Sequence, residues 1–350
     1  MARRQTRASV AALNRRVTIA GGGLAGLSLA IALRHRQVPV TLLEAGSYPR
    51  HRVCGEFISG VTRTTLENLH IAPHLATAAR HRTFSWSDRG KIIHRGELPE
   101  PALGISRHSL DCKLAGEARS LGCDLRTGHR AKPRPADGFV WAAGRRPLPG
   151  KWIGLKAHLR DLPVASDLDM HLGSNGYLGI AGVEDGWLNV CGLFRIDRTL
   201  AAKGPALLPA YLEAGGNHAL AAAIRAARWR ETSFTAVAGF DLGMQKEIPG
   251  VLPLGDARCI IPPFTGNGMS MAFQSAEAAV APLHAWSAGS AGWCETSRLV
   301  DDRLRRKFSL RLRAAGLLHP LLLTASGRAL LRTLASFHAL PIRPLLPILR

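Results

Sequence analysis

The sequence has few acidic residues and few cysteines, and both shortages exclude classes of protein. Its 25 Asp and Glu residues stand against 46 Lys and Arg residues, which gives a formal net charge of +21. The six cysteines form no Cys-x-x-Cys pair and no framework spacing. We therefore expect no disulfide scaffold and no metal site, and we expect a reducing compartment. Nucleic acid would be the usual partner of so basic a chain, but no known nucleic-acid module is recognisable, so we predict none.

Long apolar runs are also missing. The longest charge-free stretch near the C-terminus, residues 314–327, spans 14 residues and contains Pro320, so it is too short to cross a bilayer. Residues 1–16 contain five arginines and no acid, but no apolar core of a secretory signal. We interpret residues 1–15 as a basic disordered arm, with a mitochondrial-type presequence as the alternative, and we expect a cytoplasmic protein.

A glycine motif follows the first apolar segment of the chain. Gly21, Gly23 and Gly26 have the spacing Gly-x-Gly-x-x-Gly, after a strand-like run and before an apolar, helix-like one. In this pattern the first glycine permits a tight turn, the second lets the backbone approach a pyrophosphate, and the third lets the helix pack on the strand. Glu44 ends the next apolar run, where an acid binds ribose hydroxyls. The pattern predicts a dinucleotide site; an ordinary strand–helix turn is the alternative.

A second glycine-rich segment follows the apolar run 251–254. That run ends in Gly-Asp, and a turn rich in glycine then precedes the helical run 270–280. The arrangement resembles the second FAD fingerprint of the flavoprotein monooxygenase and geranylgeranyl reductase superfamily. The resemblance implies that the aspartate holds a ribityl hydroxyl and that the turn amides face the pyrimidine edge of the flavin. The residues assigned to FAD in this way are Gly255, Asp256, Gly266, Gly268 and Met269.

Two further segments carry the resemblance. Residues 50–57, Arg-His-Arg-Val-Cys-Gly-Glu-Phe, resemble a segment of geranylgeranyl reductase-like flavoproteins that passes the flavin. This implies that Arg52 (or Arg50) lies near the FAD phosphates and that Cys54 lies near the isoalloxazine as a candidate catalytic residue. A small buried side chain is the alternative role of Cys54. Arg107, just before a predicted helix over 111–121, matches a phosphate or adenine contact of the family, and a solvated arginine is the alternative.

The chain departs from the family at two places. Ala143 stands where many relatives carry an aspartate that is linked to both FAD and NAD(P)H. NAD(P)H is therefore expected only as an electron donor without a dedicated site, and another donor is the alternative. Residues 125–139 replace a small β-meander of the family and contain no strand-like alternation, so we predict a loop.

The middle of the chain predicts an antiparallel sheet. Residues 151–159, 167–172, 177–183, 187–194 and 233–241 are strand-like, and helices are predicted over 198–214 and 217–229. Lys156 and His158 would share one face of a strand and form a polar patch.

We therefore predict an α/β protein with a Rossmann-like FAD-binding domain, an antiparallel-sheet substrate domain and a C-terminal helical tail. The FAD-binding domain comprises residues 16–80, 100–150 and 240–296, and the substrate domain comprises 81–99 and 151–239. The tail, 297–350, is basic and amphipathic. It predicts either packing on the core or contact with an anionic membrane surface.

The predicted function is that of an FAD-dependent oxidoreductase with a hydrophobic small-molecule substrate. The resemblance favours hydride transfer from reduced FAD to a C=C bond of an isoprenoid, polyketide or other lipid-like substrate. A flavin-dependent monooxygenase that hydroxylates an aromatic or polyketide substrate is the alternative enzyme. A lipid-binding protein on a flavin fold is the alternative without activity. The sequence gives no oligomeric state.

Overall fold

The computed structural model describes residues 14–145, 149–337, 339–340, 345 and 348–349. Most of the predicted N-terminal arm and most of the last ten residues thus lie outside the described residues. The strands, in chain order, are β1 (Val17–Ala20), β2 (Val40–Leu43), β3 (Phe57–Ile58), β4 (Ala79–Asp88), β5 (Lys91–Gly104), β6 (Asp124–Arg126), β7 (Phe139–Trp141), β8 (Trp152–Arg160), β9 (Leu168–Leu172), β10 (Gly176–Gly182), β11 (Leu188–Arg195), β12 (Arg228–Trp229), β13 (Thr235–Phe240), β14 (Gly243–Met244), β15 (Leu252–Pro253) and β16 (Cys259–Ile260). The α-helices are α1 (Leu24–His35), α2 (Arg63–Asn68), α3 (Arg107–Ser120), α4 (Leu207–Ala214), α5 (His218–Ala226), α6 (Gly268–Ser287), α7 (Trp293–Leu323) and α8 (Ala325–Ser336).

The first sheet is parallel and has the strand order β15-β7-β1-β2-β6. The central strand β1 pairs with β2 and β7, with Val17 opposite Val40 and Ile19 opposite Val140. Its strands are short and apolar because they are buried, and α1, α3, α6 and the first half of α7 share one hydrophobic core with them. Ligands of such sheets bind beyond the carboxyl ends of the strands.

The second sheet has nine strands and is antiparallel except where β4 lies parallel to β9. Alternation along β8 gives it two different faces. Ile153, Leu155 and Leu159 pack against α4 and α5 on one side. Gly154, Lys156 and His158 lie on the other side, and a Cβ added at Gly154 would come within 2.7 Å of Val53. This second face therefore covers the segment that the sequence places near the flavin.

The C-terminal helices connect the two sheets. Buried residues in the first half of α7, such as Leu304 and Phe308, belong to the core of the first sheet. Leu322 and Leu323 at its end pack, together with Leu331 of α8, against the second sheet. The predicted fold class is confirmed, with a parallel sheet, an antiparallel sheet and C-terminal helices.

Several predicted element boundaries are wrong. The helix predicted over 111–121 is α3, which begins at Arg107 because the Ser106 hydroxyl accepts a hydrogen bond from the Ser109 amide at 3.0 Å. Asp111 consequently lies one turn inside the helix and not at its start. The loop predicted over 125–139 begins later, because β6 adds a short strand to the edge of the first sheet.

The helices of the middle region are also shorter than predicted. The helix expected over 198–214 is limited to α4, which follows a short 3₁₀ turn that contains Pro205. The helix expected over 217–229 ends at Ala226, since Arg228 and Trp229 pair with β8. The hairpin that contains residues 81–99 is longer than expected and lies wholly in the second sheet. The domain boundaries themselves stay a prediction.

Candidate functional site

The two glycine motifs meet at the carboxyl edge of the first sheet. A Cβ added at Gly255 would lie 3.2 Å from the Cβ of Ala25 in α1. The Gly255 amide donates a hydrogen bond to the Ser275 hydroxyl of α6 at 3.1 Å. The turn after β15 therefore contacts the first turn of α1 and the interior of α6, and the two motifs form one site.

The first three glycines have different structural roles. Gly21 has a φ of +110°, and a Cβ there would lie 2.3 Å from the carbonyl oxygen of Ala142. A Cβ at Gly26 would lie 2.0 Å from the carbonyl oxygen of Gly21, so this glycine permits close packing of α1. At Gly23 the nearest atom would be the Arg107 guanidinium at 3.7 Å, which leaves open space beside the start of α1. Only Gly23 thus borders room for a ligand.

Two helices at the site begin without a side-chain cap. The N-cap residues of α1 and α6, Gly23 and Asn267, make no capping hydrogen bond, as is also the case for α4, α5 and α7, whereas α2, α3 and α8 have a side-chain cap. Uncapped helix N-termini present free N–H groups and a partial positive charge, which suits phosphate or an electron-rich ring. A Cβ at Gly268 would meet no atom within 4 Å, so the start of α6 is also open.

The other residues of the turn before α6 are fixed by contacts with protein side chains. Gly266 has a φ of +68° and closes the 3₁₀ turn before α6, with Phe57 3.0 Å from the Cβ it would carry. The Ser59 hydroxyl donates to the Asn267 amide oxygen at 3.2 Å. The side chain of Met269 is buried, so this residue can offer a ligand only its backbone.

Glu44 is buried and strongly hydrogen-bonded. Its two carboxylate oxygens accept from the amides of Gly22 and Gly46, each at 2.8 Å, and Arg50 lies 2.7 Å away. Burial alone would raise the pKa of Glu44, but the Gly46 amide and the charges of Arg52 and Arg50 hold it below its usual range. The residue is therefore ionised, as an acceptor of ribose hydroxyls has to be.

A line of alternating charges extends from Glu44 past the start of α1. Arg52 lies 3.5 Å from Glu44 and donates to Asp111 at 2.9 Å. Arg107 contacts the same aspartate through both ends of its guanidinium, at 2.6 and 2.8 Å. Asp111 is fully buried, so it fixes both arginines next to the open N-terminus of α1.

Asp256 differs from Glu44 because its side chain is exposed. It lies in a short 3₁₀ turn that begins at Gly255, whose φ is +58°. Desolvation by the surrounding protein raises the pKa of Asp256, while the charges of Arg145 and Arg107 oppose this change. An acid whose side chain is exposed can accept a hydrogen bond from a ligand hydroxyl.

Cys54 lies between the charged residues Arg52, Arg107 and Asp111 and the second sheet. Its carbonyl oxygen accepts from the Asn189 side chain at 3.0 Å, and its sulfur lies 3.4 Å from the Glu56 amide. Burial raises the pKa of the Cys54 thiol, and the nearby Arg107 opposes this change only in part. The thiol is therefore protonated at neutral pH and is no ready nucleophile.

A buried acid–base cluster, which we call the Glu56 cluster, joins the segment before β3 to strand β8 at this point. Glu56, Lys156 and His158 are all 0% exposed. Glu56 lies 2.6 Å from His158 Nε2 and 3.2 Å from Lys156 Nζ, and it accepts from the Arg107 amide at 2.8 Å. Lys156 Nζ also lies 3.1 Å from Nδ1 of His51. A Glu, a Lys and two His side chains from the segment 51–56 and from β8 are thus linked.

The charges within the Glu56 cluster can be assigned from its contacts. Burial would raise the pKa of Glu56, but the His158 hydrogen bond and the Lys156 charge hold it below the usual range. Burial, followed by the charges of Lys156, His158 and His108, lowers the pKa of His51 to about 3. A neutral His51 that accepts from Lys156 at Nδ1 carries its proton on Nε2. Its ring stacks on His108 with centroids 4.5 Å apart.

Sequence reasoning found only part of this cluster. The shared face of Lys156 and His158 follows from strand alternation, and the structure confirms it. Glu56 was visible as the last residue of the Cys-Gly-Glu segment, but nothing in the sequence indicates that it pairs with residues 102 positions away. Nothing in the sequence indicates that His51 belongs to this cluster.

An aromatic cluster lies next to the α6 turn. His319 of α7 packs among Trp152, Tyr177 and Phe264, with ring centroids 5.3, 5.7 and 6.0 Å away. The Tyr177 hydroxyl accepts from the Phe264 amide at 3.3 Å. Burial lowers the pKa of His319 to about 4, and its Nε2 is buried without a hydrogen-bond partner. The cluster combines an apolar surface with one free polar atom.

A cavity of about 650 Å³ lies elsewhere, between segment 244–253 and the start of α7. Trp141 and Arg258 line it, but none of the residues assigned to FAD does. Among the described residues, no group of three His, Cys, Asp or Glu side chains is arranged to hold a metal ion.

Comparison with known proteins supports the class of fold. Residues 16–81 match the family model described as pyridine nucleotide-disulphide oxidoreductase. No curated protein matches the chain. The matched segment covers only the first glycine motif, Glu44 and the Cys54 region.

Solved structures resemble nearly the whole chain. PqsL from Pseudomonas aeruginosa is described as a probable FAD-dependent monooxygenase and was solved with 2-aminobenzoylacetate. It aligns with a TM-score of 0.70 and 14% identity, over 91% of this chain and 99% of its own. The p-nitrophenol 4-monooxygenase PnpA from Pseudomonas putida DLL-E4 aligns with a TM-score of 0.74 and 14% identity over 95% and 97%. The flavin-dependent brominase Bmp2 gives 0.74 and 17% over 96% and 93%. The likeness shows that the chain shares the fold of these FAD-dependent enzymes; neither comparison distinguishes the geranylgeranyl reductase branch.

Proposed function

We propose that the chain is an FAD-dependent monooxygenase that inserts oxygen into an aromatic or similarly hydrophobic small molecule in the cytoplasm. The observation that carries the proposal is the convergence of two open helix N-termini, those of α1 and α6, on Glu44 and Asp256. A long ligand with a ribose, a pyrophosphate and an electron-rich ring fits this order of groups.

Different residues of the site would bind different parts of FAD. Glu44 would accept hydrogen bonds from the adenosine ribose, and the amides beside Gly23 together with Arg107 and Arg52 would hold the pyrophosphate. Asp256 would accept from a ribityl hydroxyl. The amides from Gly266 to Met269 would bind the pyrimidine edge, where the N-terminus of α6 would stabilise negative charge on the reduced ring. The two glycines with open space, Gly23 and Gly268, lie where the ligand approaches the backbone.

Bound and reduced FAD supplies the electron pair for oxygen activation; one oxygen atom enters the substrate and the other leaves as water. The protein must therefore exclude solvent, hold the substrate and deliver protons. The second sheet and α7 cover the segment around Cys54 and the α6 turn, and so shield this region from water.

The Glu56 cluster is the proton-transfer group of the site. Lys156 donates to Nδ1 of His51, and the half-buried His51 presents the proton on its Nε2. Burial lowers the pKa of Lys156, and the Glu56 carboxylate 3.2 Å away opposes this change, so Lys156 is poised to pass on a proton. We assign His51 as the donor and Glu56 as its positioning residue.

The aromatic cluster is the support for a ring-containing substrate. Trp152, Tyr177 and Phe264 offer ring faces, and the unpartnered Nε2 of His319 can accept a hydrogen bond from a hydroxyl or amine on the substrate. PqsL was solved with 2-aminobenzoylacetate, and PnpA acts on p-nitrophenol, both of which combine a ring with such a group.

The neighbours favour oxygen insertion over the reduction of a C=C bond, since the solved structures named above are monooxygenases and a brominase. A reductase would also need a proton donor, and the buried thiol of Cys54 is the candidate for it. NAD(P)H is the proposed source of electrons. Because Ala143 replaces the aspartate that relatives link to NAD(P)H, a separate reductase that supplies reduced FAD is the alternative.

The test starts with FAD binding. The purified chain should bind FAD and become yellow, Asp256→Ala should lower the affinity by about tenfold or more, and Glu231→Ala, an exposed acid away from the site, should leave it unchanged. The reduced holoenzyme is then mixed with ¹⁸O₂ and either p-nitrophenol, 2-aminobenzoylacetate or a polyprenol. Incorporation of one labelled oxygen supports the monooxygenase. Saturation of the polyprenol without oxygen consumption would overturn it in favour of the reductase, and a chain that retains no FAD would overturn both.

A further inference from the structure

Exposed large hydrophobic side chains concentrate on the two C-terminal helices. Leu310 and Leu317 of α7 are 64% and 78% exposed, and Leu330 and Phe337, at α8 and its C-cap, are 49% and 77% exposed. Elsewhere among the described residues the most exposed such side chain is Met244 at 55%. Single exposed apolar residues need no explanation, but a group on adjoining helices indicates an interaction surface.

The spacing places these residues on outward faces. Leu310 and Leu317 are two turns apart, as are Leu330 and Phe337. The opposite face of α7 is buried against the first core through Val300, Leu304 and Phe308. Each helix therefore has a buried apolar face and an outward face that is also partly apolar.

Cations occupy the same outer face. Arg303, Arg306 and Arg313 are exposed, and with Leu310 and Leu317 they follow the three–four spacing of one helix stripe. From residue 303 to the end, the sequence contains no Asp or Glu. Of the described cations there, Arg311 and Arg328 are buried, and Arg305, Lys307 and Arg332 pair with acids, so Arg303, Arg306 and Arg313 carry the charge of this stripe. A surface that combines apolar side chains with charge of one sign fits an anionic lipid headgroup region better than a typical protein interface.

We propose that the outer face of α7 and α8 binds the surface of an anionic membrane. The apolar side chains enter the headgroup boundary, and each nearby arginine contributes on the order of 1 kcal/mol through the negative surface potential. This goes beyond the proposed function, because the chemistry of the FAD site does not require a membrane.

The helices lie on the membrane and do not cross it. Among the described residues no single helix is long and apolar enough to cross; α7 and α8 meet that test only as a pair, by length and composition, and they are bent by 96°. Their inner faces hold the two sheets together, so insertion across a bilayer would require the hydrophobic core to open.

The position of α7 gives the membrane contact a consequence for substrate access. Leu317 points outward, while His319, two residues later, is 7% exposed and packs on Phe264. The aromatic cluster therefore lies directly behind the proposed membrane face. A hydrophobic substrate that is dissolved in the bilayer would reach the site along α7.

Vesicle binding tests the proposal with the FAD-loaded full chain. The wild type should sediment with vesicles of phosphatidylcholine and phosphatidylglycerol, and binding to phosphatidylcholine alone should be at least about tenfold weaker. The double variant Leu317→Asp/Phe337→Asp should lose binding to the anionic vesicles by a similar factor. The matched control is Ile92→Asp/Val164→Asp. It alters one apolar residue of β5 and one of the loop between β8 and β9, which are 44% and 45% exposed. This control should bind vesicles like the wild type.

Charge and folding need separate readouts. Arg306→Glu/Arg313→Glu should weaken binding to anionic vesicles, and salt should weaken wild-type binding, because the Debye length falls to about 3 Å at 1 M. Flavin absorbance and the melting temperature show whether each variant is folded. Equal binding of the wild type and Leu317→Asp/Phe337→Asp would overturn the proposal. So would a dimer that this variant converts to a monomer without any vesicle binding, since the face would then bind a second copy of the chain.

Discussion

Glu56, directly before β3, and His158 of β8 contact each other, with Oε2 and Nε2 2.6 Å apart and both side chains 0% exposed. The contact fixes the Cys54 segment against β8, and Lys156 completes the cluster from the same strand. A carboxylate in this position affects both the stability of the protein and the supply of protons to the site.

Replacing Glu56 should destabilise the protein in a pH-dependent way. Glu56→Gln leaves Lys156 buried without its counter-ion, so we expect a loss of about 3–5 kcal/mol at pH 7. The pKa of Glu56 is held below its reference value of 4.5. Its stabilising contribution is therefore complete above that value and is lost as the pH falls through the lower folded pKa. Urea unfolding of both proteins between pH 7 and 3 should show curves that converge towards acid.

Glu67 offers a matched control for this experiment. It is exposed and pairs with Arg63 at 2.7 Å on the surface of α2. Glu67→Gln should change the free energy of unfolding by no more than about 0.5 kcal/mol. A difference between the wild type and Glu56→Gln that stays constant over the whole pH range would contradict the ionised state assigned to Glu56.

A side chain at Gly23 should block the cofactor without harming the fold. The backbone there is extended, with φ −89° and ψ −172°, and the nearest atom to an added Cβ is 3.7 Å away. Gly23→Val should therefore fold, with the free energy of unfolding of the FAD-free protein lowered by only about 1 kcal/mol because Val is a poorer N-cap than Gly, and its FAD dissociation constant should rise by about tenfold or more. Gly116→Ala, on an open surface of α3, should leave FAD affinity unchanged. If titration of Gly23→Val by flavin fluorescence gave the wild-type affinity, the pyrophosphate would have to bind elsewhere.

Cys54 should be protected from alkylation when FAD is bound. Cys54 is half-buried at the site, whereas Cys112 and Cys294 are exposed. Because burial raises the pKa of Cys54, labelling by iodoacetamide should be slow even at mildly alkaline pH, and FAD should slow it further. Peptide mass spectrometry would follow the three cysteines together, with Cys294 as the internal reference. Equal labelling of Cys54 with and without FAD would remove it from the site.

Replacing His319 should make the protein more resistant to acid. The pKa of His319 is lowered to about 4, from a reference value of 6.5. The unfolded chain takes up this proton first, so stability falls as the pH drops from 6.5 towards 4. His319→Phe removes this dependence. The difference in free energy of unfolding between the variant and the wild type should therefore be about 2 kcal/mol more favourable to the variant at pH 5 than at pH 7. Thermal melting at both pH values tests this, and the same change at the exposed His218 serves as the control. A gain of equal size at pH 5 and pH 7 would show that only packing had changed.

The sequence was sufficient to predict local features that have a local cause. The glycine spacing at residues 21–26 predicts a strand, a turn and a helix because only glycine fits the contacts with Ala142 and with the turn itself. Alternation predicted that Lys156 and His158 share a face of β8, because that face is a property of the strand alone. Charge and hydropathy likewise predicted an amphipathic helical tail.

Tertiary structure decided which of these features meet. Gly255 and Ala25 come together only when β15 adds to the edge of the parallel sheet, and Glu56 meets Lys156 only when the second sheet folds over residues 51–58. Helix α3 begins four residues earlier than predicted because a capping hydroxyl at Ser106 dominates over the pattern of charges. The sequence by itself thus predicted a dinucleotide ligand and determined the local strand, turn and helix that would hold it. Long-range packing decided the partners of Glu56 and the position of His319, because contacts between distant segments depend on the free energy of the whole fold and leave no periodic signal in the chain.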